Sequence, residues 1–217
     1  MLSFTTVYKL EQKLHFLPTD LVEEKLNWLN LSGERALSNF DQRHQLQVQG
    51  QYSTGSGVRG GALLSGWRGA LMKEWTFVSN LTVGSGTPET PTYLAAVNGT
   101  GFTGTLRPDV TGASVTAAPA GKFLNPAAFV APVSSPYGNA GRNSIIGPSQ
   151  FALNGSLGRT FPWGDRYNLD LQFNATNILN HVTFNSWNTN ISSPQLFGLP
   201  QGAAGMRVIQ TTARLRF

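Results

Sequence analysis

Gly205-Met206-Arg207-Val208-Ile209-Gln210-Thr211-Thr212-Ala213-Arg214-Leu215-Arg216-Phe217 decides the fold class. Ile209, Thr211, Ala213, Leu215 and Phe217 share one parity, and Gln210, Thr212, Arg214 and Arg216 share the other. Strand side chains alternate faces, so one face is mostly apolar and the other carries amides, hydroxyls and guanidiniums. Two architectures use such a strand. In a soluble sandwich the apolar face meets a second sheet. In an outer-membrane barrel it meets lipid, and the polar face lines the lumen.

Five further segments alternate in the same way. The first, Met1 to Leu10, places Leu2, Phe4, Thr6, Tyr8 and Leu10 opposite Ser3, Thr5, Val7 and Lys9. Arg43 to Tyr52 sets Leu46, Val48, Gly50 and Tyr52 against Gln45, Gln47, Gln49 and Gln51. Glu74 to Val83 sets Trp75, Phe77, Leu81 and Val83 against Thr76, Asn80 and Thr82. Phe151 to Leu157 sets Phe151, Leu153 and Leu157 against Asn154 and Ser156. Tyr167 to Thr176 sets Tyr167, Leu169, Leu171, Phe173 and Ala175 against Asn168, Asp170, Gln172, Asn174 and Thr176. Alternation of this length is a strand signal, and about 9 to 11 residues suffice to span a membrane as a tilted strand.

The polar faces use Gln, Asn, Ser and Thr where a soluble sheet shows Lys and Glu, as an enclosed hydrated wall would. Gln45, Gln47, Gln49, Gln51, Asp170, Gln172, Asn174, Arg214 and Arg216 are therefore the lumen-facing candidates. Leu46, Val48, Trp75, Phe77, Leu81, Leu169, Leu171 and Phe173 are the lipid-facing ones. Tyr8, Tyr52, Trp75, Tyr167 and Phe217 fall at strand ends, where interfacial aromatic girdles lie, although aromatic residues suit strands generally. The polar groups either solvate the wall or contact a ligand; the pattern fits both.

Composition narrows the classes. Charged residues make up only 12% of the chain, against roughly 25% in soluble proteins. No apolar run approaches the roughly 18 residues of a spanning helix. The net charge of +5 comes from scattered single Lys and Arg residues, so there is no basic stripe for nucleic acid. Cysteine is absent, which removes disulfides and thiolate metal sites. His15, His44 and His181 lack metal-ligand spacing, and neither Gly55-Ser56-Gly57 nor Gly84-Ser85-Gly86 is a nucleophile elbow. The residues point to no enzyme and no cofactor.

Connector lengths sort by side. If Phe217 marks the periplasmic end, that side holds Ser53 to Lys73 and the short Gly158 to Arg166 turn. The opposite side holds the longer Glu11 to Gln42, Gly84 to Gln150 and Asn177 to Ala204. Short turns on one side and long loops on the other are the outer-membrane pattern. Within the first long loop, Asp20, Glu23, Val22, Leu26, Leu29 and Gly33 predict a short helix over 18–29, packed on its neighbours or lying on a membrane. Gly84 to Gln150, punctuated by eight prolines from Pro88 to Pro148, reads as an irregular loop.

Four strings occur in series: Glu34-Arg35-Ala36-Leu37-Ser38-Asn39-Phe40-Asp41-Gln42-Arg43-His44; Phe123-Leu124-Asn125-Pro126-Ala127-Ala128-Phe129; Gly138-Asn139-Ala140-Gly141-Arg142-Asn143-Ser144; and Phe173-Asn174-Ala175-Thr176-Asn177-Ile178-Leu179-Asn180-His181. In this order the chain resembles the carboxyl-terminal portion of Oar-like TonB-dependent outer-membrane transporters, over Leu2 to Phe217. The resemblance implies a 22-stranded barrel with an amino-terminal plug, energised through TonB for uptake of a bulky ligand. It also implies that Ile209, Thr211, Ala213, Leu215 and Phe217 act as the carboxyl-terminal signal read by the barrel-assembly machinery through strand addition.

The expectation departs from that whole: these residues read as having no plug, no TonB-contacting segment, no carboxypeptidase-regulatory-like domain and no signal peptide. Six strands are fewer than the eight of the smallest membrane barrels. The expectation is thus an all-β, antiparallel transmembrane barrel fragment over 1–217, not transport-competent alone. Its expected partners are outer-membrane lipid, the barrel-assembly machinery, and the remaining strands and plug of a full-length transporter. The alternative expectation is a soluble β-sandwich adhesin presenting long loops.

Overall fold

The computed structural model describes residues 2–10, 14–15, 35–55, 66–97, 102–163 and 166–217. Six long strands form one antiparallel sheet: β1 (Leu2–Leu10), β2 (His44–Ser53), β3 (Thr76–Gly84), β4 (Gln150–Trp163), β5 (Tyr167–Thr176) and β6 (Val208–Arg216). Each strand pairs with its neighbour in sequence, an up-and-down meander, and β1 and β6 are the two edges. The expected all-β fragment, with long loops on one side and shorter turns on the other, is what forms. The predicted helix over 18–29 lies outside the described residues.

The register puts alternate residues of all six strands on common faces. Thr6 pairs with Val48, Val48 with Leu81, Leu81 with Leu153, Leu157 with Phe173, and Leu171 with Ala213. Directly paired residues point to the same side of a sheet. The apolar parity of each segment therefore merges into one continuous surface. Phe4 lies against Gly50, its partner across β1 and β2, where any Cβ on Gly50 would touch the phenyl ring at 3.0 Å.

The strand bounds moved most in β4. Sequence alone ends it at Leu157 and assigns Gly158 to Arg166 to a turn, yet the strand continues to Trp163. Its final five residues, Arg159 to Trp163, pair with β5 alone, because β3 begins at Thr76 opposite Gly158. Stagger of this kind is how a closing sheet accumulates the shear of a tilted barrel. Pro162 is tolerated because on its β3 side no strand seeks its missing N–H. The Ser53 to Lys73 connection also contains a feature the sequence reading missed, helix α1 (Gly66–Met72).

The Gly84 to Gln150 loop is irregular in backbone, but it folds around its own core. Pro88–Glu89 pairs with Ile145–Ile146, Asp109–Val110 with Phe129–Val130, and Tyr93–Val97 with Phe102–Leu106. Leu124, Ala128, Phe129, Ala140 and Ile145 are buried together with Phe197, which comes from the loop between β5 and β6. The two loops are stitched by main-chain bonds: Thr92 N–H donates to Thr189 O (3.0 Å), Ile191 N–H to Thr92 O (2.9 Å), and Phe123 N–H to Gly198 O (2.8 Å). We refer to this joint unit as the cap.

Gly138 permits one close approach in the cap. Its N–H donates to Arg107 O at 3.0 Å, and a Cβ built on it overlaps the Pro108 carbonyl. Gly138→Ala is expected to destabilise the cap by about 1–3 kcal/mol, the cost of overpacking against an unyielding backbone. Gly141→Ala, whose Cβ would meet only Ser144 Cβ at 3.7 Å, is the matched mild control. Limited proteolysis of outer-membrane preparations compares them; equal cleavage of the two variants would refute the clash.

Candidate functional site

Two surfaces carry the candidate chemistry, the polar face of the sheet and the cap above one end of it. Gln45, Gln47, Gln49 and Gln51 lie in a row on β2, with Gln47 opposite Thr82 and Gln49 opposite Asn80. Asn80 in turn pairs with Asn154, Ser156 with Asn174, and Asn174 with Gln210. An amide band thus crosses from β2 to β6. Val7, Val78, Ala152 and Val208 interrupt this face without breaking it.

At the turn end the polar face turns ionic. Asp170 accepts hydrogen bonds from Thr160 Oγ1 (2.7 Å) and Arg216 Nη2 (2.8 Å), and Arg214 is its direct cross-strand neighbour. The ion pair is solvent-exposed and screened, so it adds little to stability. Gln172 Nε2 donates to Asn174 Oδ1 at 3.1 Å. A shallow cavity of about 420 Å³ opens beside these groups, lined by Glu74, Thr76, Thr160, Asp170 and Gln172. The register thus gathers Asp170, Gln172, Asn174, Arg214 and Arg216 into one patch, while the glutamine row stands three strands away on β2.

The opposite face holds the other predicted set. Leu46, Val48, Phe77, Leu81, Leu169, Leu171 and Phe173 share it, together with Leu153, Leu157, Phe161 and Leu215. Trp75 stands just ahead of β3 on the same parity, and its indole N–H donates to Leu71 O of α1 at 2.9 Å. Ile209, Thr211, Ala213 and Leu215 continue the face along the exposed edge strand β6, and Phe217 follows. At the loop end, Tyr8 and His44 share a 2.7 Å hydrogen bond between Oη and Nδ1. His181 packs edge-on against Phe151, ring centroids 5.3 Å apart.

Arg159 is the residue that sequence reading missed. It shares the apolar parity of Leu157 and Phe161, is only 8% exposed, and sits over the Phe161 ring at 4.4 Å and the Trp75 ring at 5.8 Å. Its guanidinium also donates to Leu71 O. The available signal was parity: Phe161 and Trp163 continue the apolar series of Phe151, Leu153 and Leu157 straight through it.

In the cap, Glu89 joins the two loops. Both carboxylate oxygens accept the Trp187 N–H, at 3.2 and 3.1 Å. Burial pushes its carboxyl from 4.5 up to about 7, and the Trp187 N–H works the other way without cancelling it. The closed cap therefore binds this proton more tightly than an opened one. Its contribution is fully present below pH 4.5 and is lost as pH rises through 7. Protease resistance of the cap is expected to fall between those values, and Glu89→Gln, neutral throughout, to flatten the profile. An unchanged profile in the variant would refute the assignment.

The four strings of the resemblance prove to be structural. Asn125 Oδ1 caps the short 3₁₀ turn Pro126–Ala128 by accepting Ala127 N–H at 3.0 Å. Asn139 Oδ1 accepts Val110 N–H at 2.8 Å. Asn143, in the left-handed region, donates from Nδ2 to Leu37 O at 2.7 Å. Asn177, also left-handed, accepts His181 N–H at 2.9 Å and donates to Gly205 O at 3.1 Å.

A family model described as "Outer membrane beta barrel domain" matches residues 12–210. Comparison with curated proteins and with solved structures gave no match. The match covers four of the six long strands whole and the first three residues of the last. It places the chain in the outer membrane and accounts for a sheet with one apolar and one amide face. The chain belongs to the outer membrane beta barrel domain family.

Proposed function

We propose that the chain is the carboxyl-terminal part of the barrel of an Oar-like TonB-dependent transporter, built for uptake of an unidentified ligand and not transport-competent alone. The observation that carries this reading is the serial occurrence of the four strings, which resemble that group and meet at the cap and its junctions with the strands. The open edges β1 and β6 support it, because unpaired strand edges are costly in lipid and further strands would satisfy them. Asp170, Arg214 and Arg216 would then face a hydrated lumen and offer partners to a plug, and the β6 parity ending at Phe217 would engage the barrel-assembly machinery.

A soluble adhesin sandwich has less in its favour. It needs a second sheet over the apolar face, and among the described residues none covers it. The test is expression of the chain with and without the strands encoded upstream. Heat-modifiable, outer-membrane material is expected only when those strands are supplied, and uptake by the completed protein is expected to stop on TonB depletion. A soluble, monomeric 217-residue product would overturn the reading.

A further inference from the structure

Helix α1 lies where a connection on the turn side is long enough to fold back on the wall. Gly66 starts it at φ +68°, and Lys73 N–H closes it on Gly69 O at 3.0 Å. Glu74, at φ 65°, then turns the chain into β3, with Glu74 N–H bonded to Thr54 O at 3.0 Å. The last helical turn is not left to water. Leu71 O accepts both the Trp75 indole N–H and the Arg159 guanidinium, and Trp75, Arg159 and Phe161 all belong to the apolar face. The carboxyl end of α1 is thus pinned against that face. A cation there is favoured by the helix carbonyls and by the two rings.

The exposed side chains of the helix include large apolar ones. Trp67 is 74% exposed, and Leu71 and Met72 are exposed beside it. Tyr52 and Trp163 extend the same surface at the turn end of the strands. In water such a surface is a liability. At a headgroup boundary it is what an interfacial segment presents, with tryptophan at that depth and basic residues toward phosphate. The sequence supplies Arg68 and Lys73 within or next to the helix. A bare arginine on a barrel's lipid face is costly at the midplane and nearly neutral close to an interface, so Arg159 also fits the boundary.

We propose that α1 is a membrane-interface foot. Trp67, Leu71 and Met72 enter the headgroup–acyl boundary of the phospholipid leaflet at the turn end, and Arg159 is the positioning residue that ties the foot to the wall. The occupant is a lipid surface, because the exposed face of α1 is continuous with the apolar face of an outer-membrane sheet. This inference rests on the barrel reading.

These 217 residues contain no cysteine, so single-cysteine variants report cleanly once any cysteine in the supplied strands is replaced by serine. Trp67→Cys, Leu215→Cys and the loop control Val133→Cys would each carry an environment-sensitive fluorophore. Extracts from outer membranes containing the completed barrel are reconstituted into phosphatidylcholine vesicles, plain or acyl-brominated. Bromines are expected to quench positions 67 and 215, and aqueous iodide position 133. If iodide reaches 67 while bromines still quench 215, the foot is wrong and the barrel stands. If iodide reaches 215 as well, both fall. In Arg159→Gln, position 67 is expected to lose its bromine quenching while 215 keeps it, and Arg159→Lys to restore part of it. Retained quenching at 67 in Arg159→Gln would overturn the tie. Should Arg159→Gln also release 215, the Lys variant decides: partial quenching at 67 supports the tie, and none overturns it.

Discussion

Phe197→Ala is expected to open the cap while leaving the six-stranded sheet assembled. Phe197 is 0% exposed and packs edge-on against Phe129 at a centroid distance of 6.0 Å, among Leu124, Ala128, Ala140 and Ile145. Truncating a buried phenylalanine costs about 3–5 kcal/mol, from lost transfer energy plus the cavity left behind. That is comparable to the whole stability of a small unit. The sheet does not share this loss, because its ladders are closed by their own main-chain bonds and Phe197 belongs to neither face. Protease added to outer-membrane preparations should cut the variant within 85–149 or 177–204 and spare the strands. The amount of outer-membrane protein should stay near wild type. Equal resistance of the variant and the parent would mean that the two loops do not depend on a common core.

The second large effect tests the faces. Leu81 pairs with Val48 on one side and Leu153 on the other, whereas Thr82 pairs with Gln47 and Ala152. Arginine at a lipid-facing midplane position costs about 2–4 kcal/mol, and lumen positions tolerate polar exchange. Leu81→Arg should therefore lower the folding equilibrium constant roughly 30- to 1,000-fold, since each 1.4 kcal/mol is about tenfold. Thr82→Arg, one residue along, should lie within a few tenths of a kcal/mol of the parent. Folding titrations of the completed barrel in lipid vesicles measure both. The reverse ranking would invert the faces and with them every lumen and lipid assignment.

Much of the sheet was legible because strict alternation is a local signal. β5 came out with its predicted bounds, Tyr167 to Thr176, where five apolar residues alternate with amides, one hydroxyl and one carboxylate. β4 was cut short at Leu157 because Gly158 to Arg166, with Phe161-Pro162-Trp163-Gly164-Asp165 inside it, reads as a turn. The reason it is not is tertiary. Leu71 O and the Trp75 ring engage the Arg159 guanidinium from a different part of the chain, and Phe161 of the same strand adds a second ring. Helix α1 was hidden by its brevity and its glycine-rich surroundings, since seven residues hold too few turns to show a period.

The cap was illegible for another reason. Its core draws single residues from Leu124 to Phe197, with no spacing that a helix or strand would impose. Prolines fixed the backbone without announcing what it enclosed. The candidate site fared in between. Parity put the glutamines and the Asp170 set on one face, but only the register shows that Arg216 reaches Asp170 while the glutamine row stands three strands away. The asparagines of the familiar strings, Asn125, Asn143 and Asn177, turned out to be brackets for loop geometry. They identify an architecture and say little about cargo.

The shared core of the two long loops also constrains how such a molecule changes over time. The larger hydrophobic centre belongs to both: Phe197 of 177–204 is buried among Leu124, Ala128, Phe129, Ala140 and Ile145 of 85–149, with Trp187 and Ile191 packed against it from its own loop. A chimera that exchanges one of them for the counterpart from a sister protein would inherit half an interior. Antigenic drift, phage escape and laboratory grafting at this surface must therefore proceed by paired replacements, or be confined to tips such as Val133 that nothing leans upon.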